Sequence, residues 1–506
     1  MMPRLFLAAA PLCACCLLVA ACLAGGPLEP QSANLPRLFP DYIDVTLPLN
    51  IAPLNFKIQE PAASYRVELR STKGPSITLS SRDPAIRIPP KAWASLLRAN
   101  PGQPFYWDIS AQTASSGWAR FATVTNHIAQ EEIDGWLAYR QLKPVFNYYT
   151  HLGIYQRNLE SFDQEPILRK ETIDEGCLNC HTPLNRDPST FAFDTRAYRG
   201  KHSTILVVSN QVARLDKTMG YLAWHPGGRL LAFSANKLSL FFHTRGETQD
   251  VYDANSDLGI YDLDSNTVVF PPAIASPGRN ETWPAWSPDG RYLYFSSAVP
   301  LPREKLRQIR YDLMRVSFDI QTRQWGQPEL MIAQAETGLS VCQPKISPDG
   351  RFLLVTLCKY GSFPIHQPNS DLYVMEIATR SFRRLEINSD QADTWHSWSS
   401  NSRWVVFSSK RIDGLLARPH FSYVNEAGEF HKPFVLPQED PSFYGFWLNT
   451  FNVPELMRGP VTIKERDLVR AIVQPRKVLT PQGPARPSSP ESPSGRDQSG
   501  NPPLRE

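Results

Sequence analysis

Cysteine is scarce in the body of this 506-residue chain. Four of its eight cysteines lie within the first 22 residues, and the other four are Cys177, Cys180, Cys342 and Cys358. Four cysteines spread over so long a segment cannot form the dense disulfide scaffold of a small secreted domain. The fold must therefore be held by packed hydrophobic cores.

The chain also lacks a cluster of basic residues. It has 53 Lys and Arg against 49 Asp and Glu, for a net charge of +4. Because phosphate recognition normally needs a concentrated basic surface, nucleic acid is excluded as the main partner. A hydrophobic content of 42% with 12 Trp, 18 Tyr and 25 Phe likewise excludes disorder of the whole chain.

Glycine is sparse beside proline, with 27 Gly against 46 Pro, while aromatic residues are plentiful. This balance favours a mostly β protein with extended connections, and its length requires several packed cores. Residues 471–506 are rich in Pro, Ser and charge and carry little to bury. They are predicted to be a disordered tail.

A long hydrophobic run occurs only at the start of the chain. Arg4 precedes apolar residues 5–21, which is typical of an export signal. Residues 19–22 (Val-Ala-Ala-Cys) resemble a bacterial lipobox, which implies a signal peptide over 1–21, lipidated Cys22 and a linker over 22–40. The protein is therefore expected to be an exported lipoprotein, periplasmic or in the outer membrane, that its lipid holds in the membrane. The alternatives are an ordinary cleaved signal and an uncleaved N-terminal anchor.

Residues 41–127 contain six short β-rich runs separated by turn residues. They predict a small immunoglobulin-like β-sandwich. In residues 134–162, aromatic and aliphatic residues are spaced three and four apart and are interrupted by Pro144 and Gly153. This spacing predicts a short helical connector within 128–200.

Residues 201–470 contain a repeat. Hairpin-like units begin at Tyr221, Trp283, Gln343 and Trp395, each with two apolar runs around a Pro-Asp-Gly type turn, and each is followed by a second hairpin. Two hairpins make a four-stranded unit that can bury its faces only against neighbours around an axis. The repeat therefore predicts a β-propeller.

The hairpin WSPDGRYLYF within 283–297 resembles the WD40-like repeat of TolB-like β-propellers. The last unit departs from it, with Ser400, Asn401 and Ser402 in place of Pro, Asp and Gly. The four clear repeats leave one or two blades to be assembled from 195–220 and 440–470, which makes five or six blades in all.

One motif has specific chemistry. Residues 177–181 read Cys-Leu-Asn-Cys-His, in which two thiols can each add to a haem vinyl group and the following imidazole can bind the iron. A thioredoxin-like pair would need a βαβ setting, and a zinc site would need two further ligands nearby. The sequence around the motif shows neither. The motif predicts one covalent haem c, with Cys177 and Cys180 as attachment points and His181 as proximal iron ligand.

The combination resembles a family of exported bacterial c-type cytochromes that join a C-x-x-C-H haem site to a TolB-like propeller. The residues that carry the resemblance lie in 50–58, 152–183, 360–373 and 395–411. It implies a membrane-anchored monohaem cytochrome that transfers electrons with a redox partner protein or a small-molecule donor or acceptor. Two alternatives stay open: a haem enzyme acting on a small molecule, and a propeller binding protein in which haem is a structural staple.

The second iron ligand is not fixed by the motif, since nine other histidines and several methionines follow the leader. His396 is the leading candidate because it holds the position of Pro284 and Pro344 in the sister repeats. Met219 and His202 come next.

Cys342 and Cys358 flank one repeat hairpin, and their parity puts them on the same face of the sheet. They form either a hairpin disulfide or two buried free thiols.

Overall fold

The computed structural model describes residues 32–113, 117–143, 152–173, 176–198, 201–240 and 250–484. The predicted signal peptide, Cys22 and residues 485–506 lie outside these ranges. Within them, no helix is both long enough and apolar enough to cross a membrane.

The N-terminal domain consists of two sheets packed face to face. The larger contains Thr46–Leu47, Val124–Ile128, Pro104–Thr113, Ser64–Arg70 and Ile77–Ser81, with Gly117–Arg120 paired to Pro104–Thr113, and the smaller contains Leu38–Phe39, Phe56–Ile58 and Ala85–Ile86. Phe56 stacks on Trp107 with ring centroids 5.0 Å apart and so joins the two sheets. The two-layer sandwich is as predicted.

Helix α1, Pro90–Ala99, covers the core of this domain and was not predicted. It begins at Pro90, whose fixed φ suits the first helical position, and it buries Trp93, Leu96 and Leu97. Trp93 donates its indole N–H to the Ile51 carbonyl at 2.9 Å.

Six four-stranded antiparallel sheets form the blades of a propeller, and they are numbered here along the chain from their innermost strands. Blade 1 consists of Cys177–Pro183, Phe191–Tyr198, Lys201–Val208 and Gln211–Leu215, and blade 2 of Gly220–Trp224, Leu230–Leu240, Val251–Asp262 and Thr267–Val269. Blade 3 consists of Asn280–Trp286, Tyr292–Ala298, Asp312–Asp319 and Gln324–Trp325, with Glu329–Ile332 added beside it. Blade 4 consists of Ser340–Ile346, Phe352–Cys358, Asp371–Glu376 and Phe382–Arg384, and blade 5 of Asp393–Trp398, Trp404–Ser409, Arg418–Tyr423 and Phe434–Val435.

Blade 6 joins the two ends of the propeller. Its innermost strand, Thr450–Met457, pairs antiparallel with Trp136–Leu142, which is followed outward by Gly153–Asn158 and Gln164–Arg169. The six innermost strands contact one another in sequence, and the strand of blade 6 contacts that of blade 1. The ring is therefore closed, and the number of blades is six.

The predicted helical connector is wrong. Residues 136–142, 153–158 and 164–169 are strands of blade 6, and 177–198 are strands of blade 1. The strand Trp136–Leu142 packs between sheets and is buried on both faces, so it lacks the polar alternation that marks a half-exposed strand. Its apolar residues therefore imitate helical spacing.

The predicted disordered tail begins too early. Helix Glu465–Val473 buries Leu468 and Ile472, and Val478–Leu479 pairs in parallel with the outer strand of blade 1. The start of this helix is held by Arg169, whose Nη2 lies 2.8 Å from a carboxylate oxygen of Glu465. Residues 485–506 lie outside the described residues.

The repeat turns explain why the hairpins form where the sequence predicts them. Gly290 and Gly350 close the Pro-Asp-Gly turns with φ of 71° and 74°, a backbone region that glycine enters without strain. In blade 5 Ser402 takes the same left-handed conformation, with φ of 62°. The departure of this repeat from the consensus therefore preserves the turn.

Candidate functional site

A cavity of about 620 Å³ lies at one mouth of the propeller channel. Its wall includes the N-terminal halves of the innermost strands of blades 1, 2, 5 and 6, together with the loop that carries Phe363 and His366. This volume falls within the range of about 300–1,000 Å³ that is typical of small-molecule and cofactor sites.

The C-x-x-C-H motif forms the innermost strand of blade 1, and both of its thiols line this cavity. In a regular strand, Cys177 and Cys180 would face opposite sides because successive side chains alternate. The pairing register shifts between Leu178 and His181, which places the two side chains along one cavity. Arg140 fixes the bulge by donating from Nη1 to the Leu178 carbonyl at 3.0 Å and to Oδ1 of Asn179 at 2.9 Å.

Turn hydrogen bonds align the motif with the other blades. The Leu184 N–H donates to the Thr190 carbonyl across the turn of its hairpin. In the hairpins of blades 2 to 5 the equivalent N–H donors are those of His225, Ser287, Ser347 and Ser399, and the acceptors are the carbonyls of Leu230, Tyr292, Phe352 and Trp404. Three residues before each of these donors stand His181, Leu222, Pro284, Pro344 and His396. His181 and His396 are therefore structural equivalents.

The His181 imidazole is 3% exposed, and neither ring nitrogen has a hydrogen-bond partner among the described residues. The Ala138 carbonyl lies beside the ring without meeting hydrogen-bond geometry. Burial lowers the pKa of His181 to about 3, and the positive charges of Arg140 and Lys345 act in the same direction. The ring is thus neutral with a free lone pair, and it lies behind the cavity wall rather than on it.

His396 has satisfied contacts of its own. Its Nε2 lies 3.1 Å from the Leu354 carbonyl oxygen and its Nδ1 lies 3.4 Å from Oγ1 of Thr356. It does not line the cavity. The preceding residue, Trp395, has a φ of 48°, and this bulge turns His396 toward blade 4 instead of the channel mouth. The geometry therefore does not support His396 as a distal iron ligand.

Among the residues that the structure describes, two other imidazoles line the cavity, those of His202 and His366. His202 was a secondary candidate and is exposed, on strand Lys201–Val208. His366 is one of the nine other histidines of the sequence and was not singled out as an iron ligand, because nothing in the sequence shows that its loop folds over the channel mouth. Burial lowers the pKa of His366 to about 3, with the charge of Lys410 adding to the effect.

Methionine is absent from the described lining of the cavity. Met219, the remaining secondary candidate, is fully buried in the core between blades 1 and 2. Its backbone N–H bonds to Oγ1 of Thr204 at 3.0 Å, so the residue belongs to the structural core.

Aromatic rings close the channel side of the cavity. The Tyr221 ring lies 3.7 Å from that of Trp283, and Trp283 lies 5.1 Å from Trp395, measured between ring centroids. Phe363 covers the first pair, 6.1 Å from Tyr221. Tyr221, Trp283 and Trp395 begin three of the repeat units, and the sequence does not show that their rings meet.

The cavity lining carries more positive than negative charge. Its described cationic side chains are Arg140, Lys143, Lys237 and Lys410, whereas Asp194 is its one described carboxylate and accepts a hydrogen bond from Thr204. Burial lowers the pKa of Lys410 to about 8. The site therefore suits a ligand with negatively charged groups.

Cys342 and Cys358 are free thiols in the structure, and both are fully buried. Cys342 pairs with Thr356 and Cys358 with Ser340, so the two are diagonal neighbours on one sheet face, as their parity predicts. Burial raises the pKa of Cys342, and the neighbouring Cys358 raises it further. Of the two alternatives, the structure shows the thiols.

No protein-family model and no curated protein matches the chain. Among solved structures, an oligogalacturonate lyase in complex with manganese is similar with a TM-score of 0.33 and 12% identity, over 73% of this chain and 99% of that one. A putative 6-phosphogluconolactonase from Bacteroides uniformis has a TM-score of 0.32 and 10% identity, over 69% and 94%. The β-propeller domain of the Trilobed protease from Pyrococcus furiosus has a TM-score of 0.30 and 11% identity, over 67% and 95%. Similarities this weak say nothing about chemistry, and the closed ring of six sheets defines the fold by itself.

Proposed function

We propose that this chain is an exported, membrane-anchored monohaem c-type cytochrome that transfers electrons and uses a TolB-like propeller as its docking platform. The observation that carries the proposal is that Cys177 and Cys180 line one cavity beside an imidazole without a partner. Attachment through two thioethers requires both thiols to face the same haem edge.

The residues present fit a covalent haem. Proximal ligation requires the His181 ring to turn toward the cavity, and this movement breaks no hydrogen bond because the ring makes none with the described residues. A buried polar group without a partner costs about 1–3 kcal/mol, which iron ligation would recover. When bound, the haem supplies one-electron redox chemistry at its iron.

The other cavity residues have defined tasks in this proposal. Lys143, Lys237 and Lys410 offer charges for the two propionate groups of a haem, while Arg140 also holds the backbone of the motif. The ring cluster of Tyr221, Trp283 and Trp395 excludes water from the channel side. Burial and hydrogen bonding around the iron are the means by which a protein sets a haem potential.

The proposed location is supported by the N-terminal sequence. Residues 19–22 favour lipidation at Cys22, which would hold the protein at a membrane facing an oxidising compartment. The partner in this proposal is a redox protein or a small donor or acceptor that approaches the mouth of the cavity.

The decisive experiment is visible spectroscopy of the protein produced with a c-type maturation system. We expect haem that stays bound through acid–acetone extraction, with sharp reduced α and β bands that carbon monoxide does not change. Haem that is extracted from the unmutated protein would overturn the proposal. Covalent haem that is high-spin and binds carbon monoxide would favour the alternative of a haem enzyme, for which this cavity is large enough to admit a small substrate.

A further inference from the structure

We propose that His366 would supply the second protein ligand of the haem iron, in addition to His181. This inference rests on the proposed function and extends it, because it assigns the residue that decides between electron transfer and catalysis. Six-coordinate iron exchanges electrons with little rearrangement, whereas an open position binds small molecules.

The position of His366 is the first argument. A distal ligand must reach into the cavity that holds the thiols, and the imidazoles that do so among the described residues are those of His202 and His366. The other described histidines are engaged elsewhere: His396 with Leu354, His420 with the Arg418 carbonyl, His431 with Thr46 and His225 with the Gly227 N–H. His127 lies outside the cavity lining, on strand Val124–Ile128 of the N-terminal domain.

The two remaining candidates, His202 and His366, differ in their exposure to solvent. His202 is exposed, and its ring would have to be desolvated to stay on an iron inside the cavity. His366 is partly buried, and the structure gives its ring no hydrogen-bond partner among the described residues. An imidazole whose lone pair is not used in a hydrogen bond is available to bind iron.

The loop that carries His366 is held at several points. The His366 ring stacks on Phe363 with centroids 6.0 Å apart and planes 6° apart. Trp283 donates its indole N–H to the Ser362 carbonyl at 3.0 Å, and the Ser370 hydroxyl donates to the Pro364 carbonyl at 2.7 Å.

Gln367 secures the other side of this loop. Its amide donates to the Tyr360 carbonyl at 2.7 Å and accepts the Lys359 N–H at 3.1 Å. These bonds hold the backbone on both sides of His366. The loop over residues 359–370 thus presents His366 in a fixed orientation.

The test compares His366→Ala with a matched control, His202→Ala, which removes the other imidazole of the same cavity. The wild-type protein should be low-spin. His366→Ala should become high-spin and bind carbon monoxide, and added imidazole should restore the low-spin spectrum. His202→Ala should retain the wild-type spectrum. His366→Met should remain low-spin with a raised reduction potential, because a thioether favours ferrous iron.

Haem content, measured as the pyridine haemochrome, separates this inference from the proposed function. A wild-type protein without covalent haem would overturn the proposed function. Covalent haem in a wild-type protein that is already high-spin, or an unchanged low-spin spectrum in His366→Ala, would overturn the role of His366 alone. A change in His202→Ala instead would assign the ligand to that residue. If His366→Ala does not fold, His366→Gln preserves the size of the side chain and must show the same high-spin conversion.

Discussion

His181 and His396 occupy the same position in blades 1 and 5, yet only His396 is hydrogen-bonded. Both rings are 3% exposed, so water does not compensate for the difference. A buried imidazole without a hydrogen-bond partner destabilises the folded state. An apolar residue does not have this effect, and Leu222 stands at the same position in blade 2.

This contrast predicts opposite effects of the same substitution. In haem-free protein, His396→Leu should lower the free energy of unfolding by about 1–3 kcal/mol because it leaves the Leu354 carbonyl without its donor. His181→Leu should leave that free energy unchanged or raise it. Urea unfolding of the two variants beside wild type checks this. Equal destabilisation by both substitutions would show that His181 has a structural partner.

Haem attachment should depend on the two thiols of blade 1. Cys177→Ala and Cys180→Ala should each leave a single thioether, with weaker retention of haem on denaturing gels, and the double variant should retain none. Cys342→Ala is the matched control, since that thiol lies in blade 4 and should have no effect. Full retention in the double variant would exclude covalent attachment at this motif.

Stability should depend on pH through Glu281. This carboxyl is 1% exposed, and burial raises its pKa to about 8, with Asp257 acting in the same direction. In the unfolded chain its pKa is near 4.3, so the folded state is penalised progressively as pH rises from about 4.3 to 8.

Glu281→Gln removes this penalty. The variant should match wild type near pH 4.5 and exceed it in unfolding free energy at pH 8 by a few kcal/mol, since each pKa unit corresponds to about 1.4 kcal/mol. Urea titrations at the two pH values measure the difference. If the unfolding free energies of the variant and wild type differ by the same amount at pH 4.5 and pH 8, Glu281 does not titrate in this range.

Cys342 and Cys358 should behave as inert thiols. Their burial raises the pKa of Cys342, so little thiolate is present to react. Maleimide should label neither residue in the native protein and both after unfolding in denaturant without reductant. A peptide pair lighter by two hydrogen masses would instead identify a disulfide.

Membrane attachment should depend on Cys22. Cys22→Ser prevents addition of the lipid, so the protein should move from the membrane to the soluble fraction of fractionated cells. Cys13→Ser leaves the predicted lipidation site intact and is the control. Membrane retention of Cys22→Ser would indicate an uncleaved anchor or a bound partner.

The repeat made four blades predictable because each carries a compact hairpin turn. Blades 1 and 6 were predicted only in part, from 195–220 and 440–470, and for different reasons. In blade 1 a longer loop replaces the Pro-Asp-Gly turn between His181 and Phe191, although its closing hydrogen bond from Leu184 is the same. Blade 6 pairs Thr450–Met457 with a strand that begins at Trp136, and no local pattern can reveal a contact between such distant segments.

The candidate site could also be predicted only in part from the sequence. The thiols and imidazole of the motif are local in sequence and could be identified from it. The bulge that brings Cys177 and Cys180 to one cavity is a property of strand pairing, and the placement of His366 depends on a loop from another blade. Both required three-dimensional information.

In the export proposed for this chain, closure of the ring by Thr450–Met457 would also set an order of events. A chain that leaves the cytoplasm with its N-terminus first delivers the two thiols long before the strand that completes blade 6. Thr450 and Asn452 belong to the cavity wall, so the pocket is unfinished throughout this interval. If haem is attached as proposed, the attachment enzymes would have a period in which the cysteines are accessible, and the last strand to arrive would enclose the attached haem.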